Sequence, residues 1–269
     1  MIIFKSINKL VKEVNFKADI GFVPTMGSLH KGHISLIKAS QKKCKKTIVS
    51  IFINPSQFNK VNDYKRYPRN LTKDLSILKK LKIDYVLVPS KKDIFQNKKM
   101  MKIKINSKYK ILCAKFRPGH FEGVLGVINQ FLKKIKAKYI FLGEKDFQQV
   151  FLIRNYIKKK FKTKVYICKT IRYKNYLPFS SRNTLLKPNQ ISVALSVSKL
   201  IKKFNLLIKK DFKNKNKILN IYKNLNKLNI KIQYLEIKNK NIFSNKFNKK
   251  NFKIFVAYFI NGVRLIDNI

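Results

Sequence analysis

The sequence is short of acidic side chains, of cysteine and of long apolar runs. Its 12 Asp and Glu face 62 Lys and Arg over 269 residues, a formal charge of +50 that lies far outside the ordinary range. The three cysteines, Cys44, Cys113 and Cys168, are odd in number, widely spaced and in no C-x-x-C arrangement. A disulfide framework and a zinc site are therefore not expected, and a reducing, cytoplasmic setting fits best. No apolar run approaches the roughly 18 to 20 residues that a membrane helix needs, and residues 1–17 are too broken by charge for a secretory signal. What the chain does have is 45% hydrophobic and 12% aromatic residues. That is enough for one large or two modest cores, which excludes disorder throughout.

The charge raises nucleic-acid binding, because clustered lysines release counterions from phosphate backbones without sequence preference. Here the lysines are spread along the chain, in runs such as 42–46, 79–82, 158–164 and 246–253. They accompany an excess of Ile, Asn, Phe and Tyr, as drift toward A/T-rich codons would produce. Drift and a selected polyanion surface both remain open. Under either, like charges repel over about 8 Å at physiological ionic strength, so salt should raise the melting temperature.

The first two-thirds alternates strands and helices. Strands are predicted at 19–24, 47–54, 83–88, 139–142 and 164–168, and helices at 33–44, 71–81, 124–135 and 147–160. The segment TIVSIFIN is β-branched and nearly continuous, as for a strand buried on both faces. Asn70 is placed to cap a helix over 71–81 with Leu71, Leu75 and Leu78 at helical spacing. Repeated βα units imply a Rossmann-like parallel sheet with helices on both faces over residues 1–170. The pattern then changes to helices at 191–210 and 215–228 and strands at 231–237, 253–260 and 263–266, the last two joined by Asn261-Gly262. A small C-terminal α+β domain, 171–269, is expected, with the Lys/Asn-rich stretch 238–250 as a mobile loop.

Ligands in open α/β sheets bind at the carboxyl ends of the strands, and the informative segments fall there. Val23-Pro-Thr-Met-Gly-Ser-Leu-His-Lys-Gly-His33 runs from a strand end into a helix. His30 and His33 can share one face beside the free amides of the helix start, a natural anion site. The alternative is a pair of surface histidines, but the two bracket Gly32 at a strand-to-helix junction, which makes H-x-G-H more specific than either residue alone.

This segment resembles the HxGH signature of the nucleotidyltransferase superfamily, and PTMGSLHKGH is similar to the pantoate–β-alanine ligase family within it. Further blocks occur in the family's order: Ser50 to Phe58, Tyr67-Pro-Arg69, Leu112-Cys113 with Phe116 to Phe121, Phe141 to Gln149, Ser180-Ser-Arg-Asn183 and Arg264 to Asn268. The resemblance implies an ATP-dependent condensation of pantoate with β-alanine to pantothenate, through pantoyl adenylate, releasing pyrophosphate and AMP. It implies catalytic roles for His30, His33, Lys145 and Arg182. Met26, His33, Gly143, Lys145, Asp146, Ser180, Ser181 and Arg182 would bind ATP, the cosubstrate, and Asn54, Gln57, Gln149 and His120 the pantoate and β-alanine region, His120 with a structural role equally open. Mg²⁺ would accompany the phosphates, with Asp146 or Asp63 as candidate contributors and its ligands undetermined. The C-terminal domain would act as a lid and the enzyme as a homodimer, with no membrane and no specific nucleic acid as partners.

These residue types suit the chemistry. Cationic donors aimed at departing pyrophosphate stabilise the transition state more than the ground state. Neutral amides hold a carboxylate nucleophile without blunting it, as Arg would. Two rivals remain: another HxGH nucleotidyltransferase, whose phosphorylated acceptor favours Arg or Lys where Gln57 and Gln149 stand, and a basic nucleic-acid-binding protein, which predicts aromatics interleaved with Arg. The chain departs from the family where Asn175-Tyr-Leu-Pro-Phe179 replaces Asp-Gly-Leu-Ala-Met. Tyr176 there stands for a Gly able to take φ > 0, and Pro178 stiffens the approach to the serines. Ala114 stands where Gly is expected, and Gly126 where Thr is common.

Overall fold

The computed structural model describes residues 1–95, 103–210 and 216–269. The chain separates into two compact units, Met1–Thr170 and Ile171–Ile269.

The first unit contains β1 (Ile2–Phe4), α1 (Ile7–Glu13), β2 (Ile20–Thr25), α2 (Lys31–Lys43), β3 (Lys46–Ile51), α3 (Val61–Lys65), α4 (Leu71–Lys80), β4 (Tyr85–Leu87), α5 (Lys91–Phe95), α6 (Cys113–Phe116), α7 (His120–Lys134), β5 (Tyr139–Gly143), α8 (Phe147–Lys160) and β6 (Lys164–Cys168). The six strands are parallel in the order β1-β4-β3-β2-β5-β6. Adjacent strand residues face opposite ways. Phe22, Ile48, Leu87 and Ile140 join Leu10, Phe131 and Ile153 in one core layer, while Val23, Val49, Val86 and Phe141 join Ile37 and Leu78 in the other. Both faces are covered, which is why the strands read as continuous apolar runs.

The order reverses at β2. From β2 the chain steps to β3 and β4 on one side, then returns to place β5 on the other. The ladder between β2 and β3 runs through Thr25, whereas pairing between β2 and β5 covers only Gly21 and Phe22. Pro24, without an N–H, removes a ladder bond here. The result is a topological switch point with the end of β2 open toward the end of β5.

Helix α4 turns inward a different stripe from its first leucine. Asn70 caps it, its side chain accepting from Lys73 N–H at 2.9 Å, but Leu71 is 45% exposed and the buried residues are Asp74 and Leu78. The inward stripe begins one turn later and includes a carboxylate. β3 ends at Ile51 rather than at 54, because Asn54 starts a 3₁₀ turn over Pro55–Gln57. α7 starts at His120, four residues before the expected start, behind a left-handed Gly119 (φ 79°).

The second unit contains β7 (Arg172–Tyr173), β8 (Leu177–Pro178), α9 (Pro188–Lys210), α10 (Asn216–Asn226), β9 (Lys231–Asn239), β10 (Phe252–Ile260) and β11 (Val263–Asn268). Lys215, the expected start of the second helix, lies outside the described residues. The antiparallel sheet β11-β10-β9 packs Ile254, Val256 and Tyr258 against Val197, Ile201 and Phe204 of α9. Asn261 and Gly262, at φ 45° and 77°, turn the β10–β11 hairpin as their sequence predicts. The stretch 238–250 is not the loose loop expected. β9 continues to Asn239, Phe243 is buried against Phe255, and backbone bonds from Asn239 to Ser244 and from Lys240 to Asn251 close it.

Candidate active site

Beyond β2 the chain makes a left-handed turn, with φ +74° at Gly27 and +50° at Ser28. Thr25 Oγ1 accepts from Gly27 N–H at 3.2 Å and donates to the Ser50 carbonyl at 2.8 Å. The Asp74 carboxylate accepts from Ser28 N–H at 2.8 Å and from Leu29 N–H at 2.7 Å. Burial pushes the Asp74 carboxyl up, against these two amide bonds and the nearby Lys73. A side chain on Gly27 would place its Cβ 2.9 Å from Asp74 Oδ2, so glycine is required there by space as well as by φ.

His30 caps α2. Its Nδ1 accepts from Gly32 N–H at 3.1 Å, which puts the proton of the neutral ring on Nε2. His33, one turn into the helix, stacks on it with ring centroids 4.0 Å apart. Burial is the main cause that lowers His33 to about 4, with Lys145 second. His30 is lowered to about 2 by burial, then by His33 and Lys145, with Asp146 opposing. Both imidazoles are neutral at pH 7, and His33 Nδ1 is buried with no hydrogen-bond partner among the described residues. Three of the backbone amides expected for an anion are already engaged, those of Ser28, Leu29 and Gly32.

Lys145 and Asp146 lie in the 3₁₀ turn Glu144–Asp146 that follows β5, across the switch point, with Nζ 3.0 Å from Asp146 Oδ1. Gly143 has ordinary extended φ, and a Cβ there would meet only Leu36, at 3.9 Å. Its lack of a side chain leaves space beside the site and answers no crowding within the protein. Asp63 stands on α3, and among the described residues no three His, Cys, Asp or Glu form a metal-binding group.

The other half of the site is built on Asn54, which is 1% exposed. Its Oδ1 accepts from the Ser56 amide and hydroxyl, and its Nδ2 donates to the Gly123 carbonyl at 3.1 Å and to Gln57 Oε1 at 3.4 Å. A Cβ on Gly123 would sit 2.6 Å from the Ser56 carbonyl oxygen, so that glycine lets α7 press onto the turn. Gln57 Nε2 meets the Met26 sulfur, joining the turn to the loop that leads to His30. The Gln57 carbonyl accepts from His120 Nδ1 at 2.6 Å and from Arg117 at 3.0 Å, while Arg117 also donates to His120 Nε2 at 3.1 Å. Both ring nitrogens of His120 are thus engaged in holding Gln57. Gln149 is half-buried at the start of α8, and its neighbour Gln148 donates to the carbonyls of Tyr109 and Ile111. Ala114 lies inside α6, and the positive φ of that segment falls on Leu112. Gly126 is buried on α7.

In the second unit Ser180 caps the 3₁₀ turn Ser181–Leu185, its hydroxyl accepting from Arg182 N–H at 3.3 Å; Ser181 is buried and Arg182 half-buried. The β7–β8 hairpin ahead of it turns through Lys174 and Asn175, at φ 46° and 60°. Tyr176 needs no positive φ, so the expected cost of a non-glycine there falls instead on the two residues before it. Arg172 grips Asp267 through two bonds of 2.7 and 2.9 Å and also donates to the carbonyls of Tyr176 and Asn268.

The sequence motifs offer no role for Asp74, Gly123 or Arg172, and Arg117 and Asp267 stand in them only as members of longer blocks. For Asp74 the signal was present: it lies four residues from Leu78 on the buried stripe, where a carboxylate needs partners.

Fold and site define an α/β protein whose switch point sets two neutral, stacked imidazoles of an H-x-G-H segment beside a lysine. The family described as pantoate-beta-alanine ligase matches residues 3–269. Pantothenate synthetase of Francisella tularensis subsp. novicida (strain U112) is 41% identical over 263 residues, 97% of this chain and 91% of that protein. A crystal structure of pantoate-beta-alanine ligase from Francisella tularensis, complexed with beta-gamma ATP and beta-alanine, is 38% identical with a TM-score of 0.87, covering 100% of this chain and 97% of that one. Pantothenate synthetase from Thermus thermophilus superposes with a TM-score of 0.92 at 25% identity, covering 100% of this chain and 99% of that one. The chain belongs to the pantoate-beta-alanine ligase family.

Proposed function

We propose that this chain condenses pantoate with β-alanine, driven by ATP, in two steps at the switch point. The pantoate carboxylate attacks the α-phosphorus of ATP; an O–P bond forms, the α–β bridge breaks and pyrophosphate leaves. The amine of β-alanine then attacks the acyl carbon of pantoyl adenylate, AMP departs and the amine's surplus proton is lost. The observation that carries this reading is the pair of neutral, stacked imidazoles beside Lys145. His30 offers an Nε2–H because its Nδ1 is fixed by Gly32, and His33 has a buried nitrogen awaiting a partner. Uncharged donors and one lysine meet the charge that grows on the leaving group in a half-buried site, where such contacts are stronger than in bulk water.

Gln57 and Gln149 bind pantoate as neutral amides, with Asn54 shaping the adjoining pocket and His120 positioning Gln57 through its backbone. A nucleotidyltransferase for a phosphorylated acceptor would call for cations at the two glutamines. Met26 and Gly143 border the nucleotide. Asp146 suits Mg²⁺, since it is a part-exposed carboxylate beside the proposed phosphate site, and Mg²⁺ asks for only one or two protein carboxylates. Bound there, Mg²⁺ would screen the phosphate charge. Ser180, Ser181 and Arg182 supply two hydroxyls and a cation as donors to the phosphates. We further propose a cytoplasmic homodimer; three free cysteines suit a reducing compartment. Among the described residues no helix is long and apolar enough to cross a membrane.

The test is exchange of labelled pyrophosphate into ATP. It should require pantoate, and AMP should appear only after β-alanine is added. Exchange independent of pantoate overturns the assignment.

A further inference from the structure

We propose that Asp74 is a positioning residue for adenylation: its carboxylate fills the amide nest of the Gly27–Leu29 turn and thereby fixes His30 on one side and Met26 on the other. The inference rests on the proposed ligase activity. The turn through Gly27 and Ser28 aims the neighbouring amides of Ser28 and Leu29 the same way, and such a concavity binds anions. Here the anion is the protein's own. Asp74 arrives from α4, 46 residues along the chain from Ser28, and gives one oxygen to each amide, at 2.8 and 2.7 Å.

Helix packing alone does not account for this group. Asp74 is 2% exposed on a stripe shared with Leu78, where an apolar side chain would avoid the desolvation of a carboxylate. Its Oδ2 lies 2.9 Å from where a Cβ on Gly27 would be, so it presses on the turn directly. The turn needs such support because Ser28 holds φ +50°, which an L-residue resists. Two residues beyond Ser28 stands His30, whose cap geometry decides which ring nitrogen carries the proton. One residue before Gly27 stands Met26, whose sulfur meets Gln57. One carboxylate therefore sets both the triphosphate side and the acid side. By occupying the nest it also withholds these amides from the phosphates, leaving them to the imidazoles and Lys145.

The experiment compares wild type, Asp74→Ala and Asp74→Asn by pantoate-dependent pyrophosphate exchange and by ¹⁵N spectra of the imidazoles, which are only three. Asp74→Ala should lower the exchange rate constant about 100-fold, the penalty of roughly 1 Å of misplacement. The His30 signals should leave the Nε2–H pattern, and sodium formate, refilling the nest, should restore both. Unchanged exchange overturns the proposal. So does loss of exchange with an unaltered His30 spectrum, or loss that formate does not relieve. Should Asp74→Ala fail to fold by circular dichroism, Asp74→Asn, which keeps one acceptor oxygen, decides by the same two readouts with a partial loss expected. Wild type lacking exchange would defeat the ligase assignment instead, and the His30 spectra with and without formate would still judge the positioning role.

Discussion

The ring of His30 lies over that of His33 with planes 26° apart, in a half-buried site that Lys145 also faces, and desolvation together with that lysine keeps both rings uncharged. In the folded chain His33 titrates near 4, below the ordinary 6.5. Between those values the unfolded chain takes up protons that the folded one refuses. Stability is therefore full above about pH 6.5 and declines as the pH falls toward 4. Urea unfolding at pH 5 should give a free energy lower than at pH 7.5 by about 2 kcal/mol on account of His33. His33→Gln should flatten that part of the profile; an unchanged slope would remove His33 as its source.

On the proposed roles, replacing His33 or Lys145 by Ala would remove a donor to the departing pyrophosphate. Each should cost roughly 2.7 to 4 kcal/mol of transition-state stabilisation, the figure for one lost oxyanion donor. Single-turnover adenylation measures this directly. Near-normal rates in either variant would break the assignment of that residue.

Gly123→Ala should disturb the proposed pantoate side. Its new Cβ would meet the Ser56 carbonyl oxygen at 2.6 Å, and backbone cannot yield as a flexible side-chain tip would. A loss of about 1 to 3 kcal/mol in stability is expected. The Michaelis constant for pantoate should rise more than that for ATP, because the displaced turn carries Gln57. Equal rises would argue against this division of the site.

Arg172 and Asp267 form a two-pronged ion pair whose carboxylate is almost wholly buried. Removing one partner strands the other charge, at a cost of about 3 to 5 kcal/mol. Arg172→Met and Asp267→Leu should each lower the melting temperature more than the double replacement does. If the double variant is the least stable, the pair is not coupled as the geometry states.

Lys174 and Asn175 carry the left-handed φ values of the β7–β8 turn, so glycine should help there and not at Tyr176. Lys174→Gly is expected to stabilise by up to about 1 kcal/mol. Tyr176→Gly should destabilise, since the Tyr176 ring lies 5.4 and 5.0 Å from the ammonium groups of Lys199 and Lys202. Thermal denaturation of the two variants gives the comparison, and steady-state ATP kinetics of Tyr176→Gly shows whether the turn affects the nucleotide.

Local signals were enough where one element satisfies its own needs. Phe147–Lys160 and Lys164–Cys168 fall where periodicity predicts them, and Asn70 caps its helix as a short polar residue should. The H-x-G-H pair was legible because both histidines belong to one helix start. Where a group's partner is distant in sequence, the reading stopped. Leu71, Leu75 and Leu78 share helical spacing, but spacing cannot tell which of two adjoining stripes a helix turns inward, and Leu71 faces out. Residues 238–250 passed as a loose loop because a Lys/Asn-rich composition does not show that Phe243 is buried against Phe255.

The amino-acid order alone determined the alternation of strand and helix, the hairpin at Asn261-Gly262 and the family's row of polar motifs, since each depends on neighbours within a turn or two. Folding decided the rest. That Asp74 answers the amides of Ser28 and Leu29, that Arg117 and His120 hold the carbonyl of Gln57, and that two imidazoles stay uncharged are outcomes of burial and of contacts across tens of residues. Desolvation and hydrogen-bond geometry exist only once the chain has closed around them, and no count along the sequence contains them.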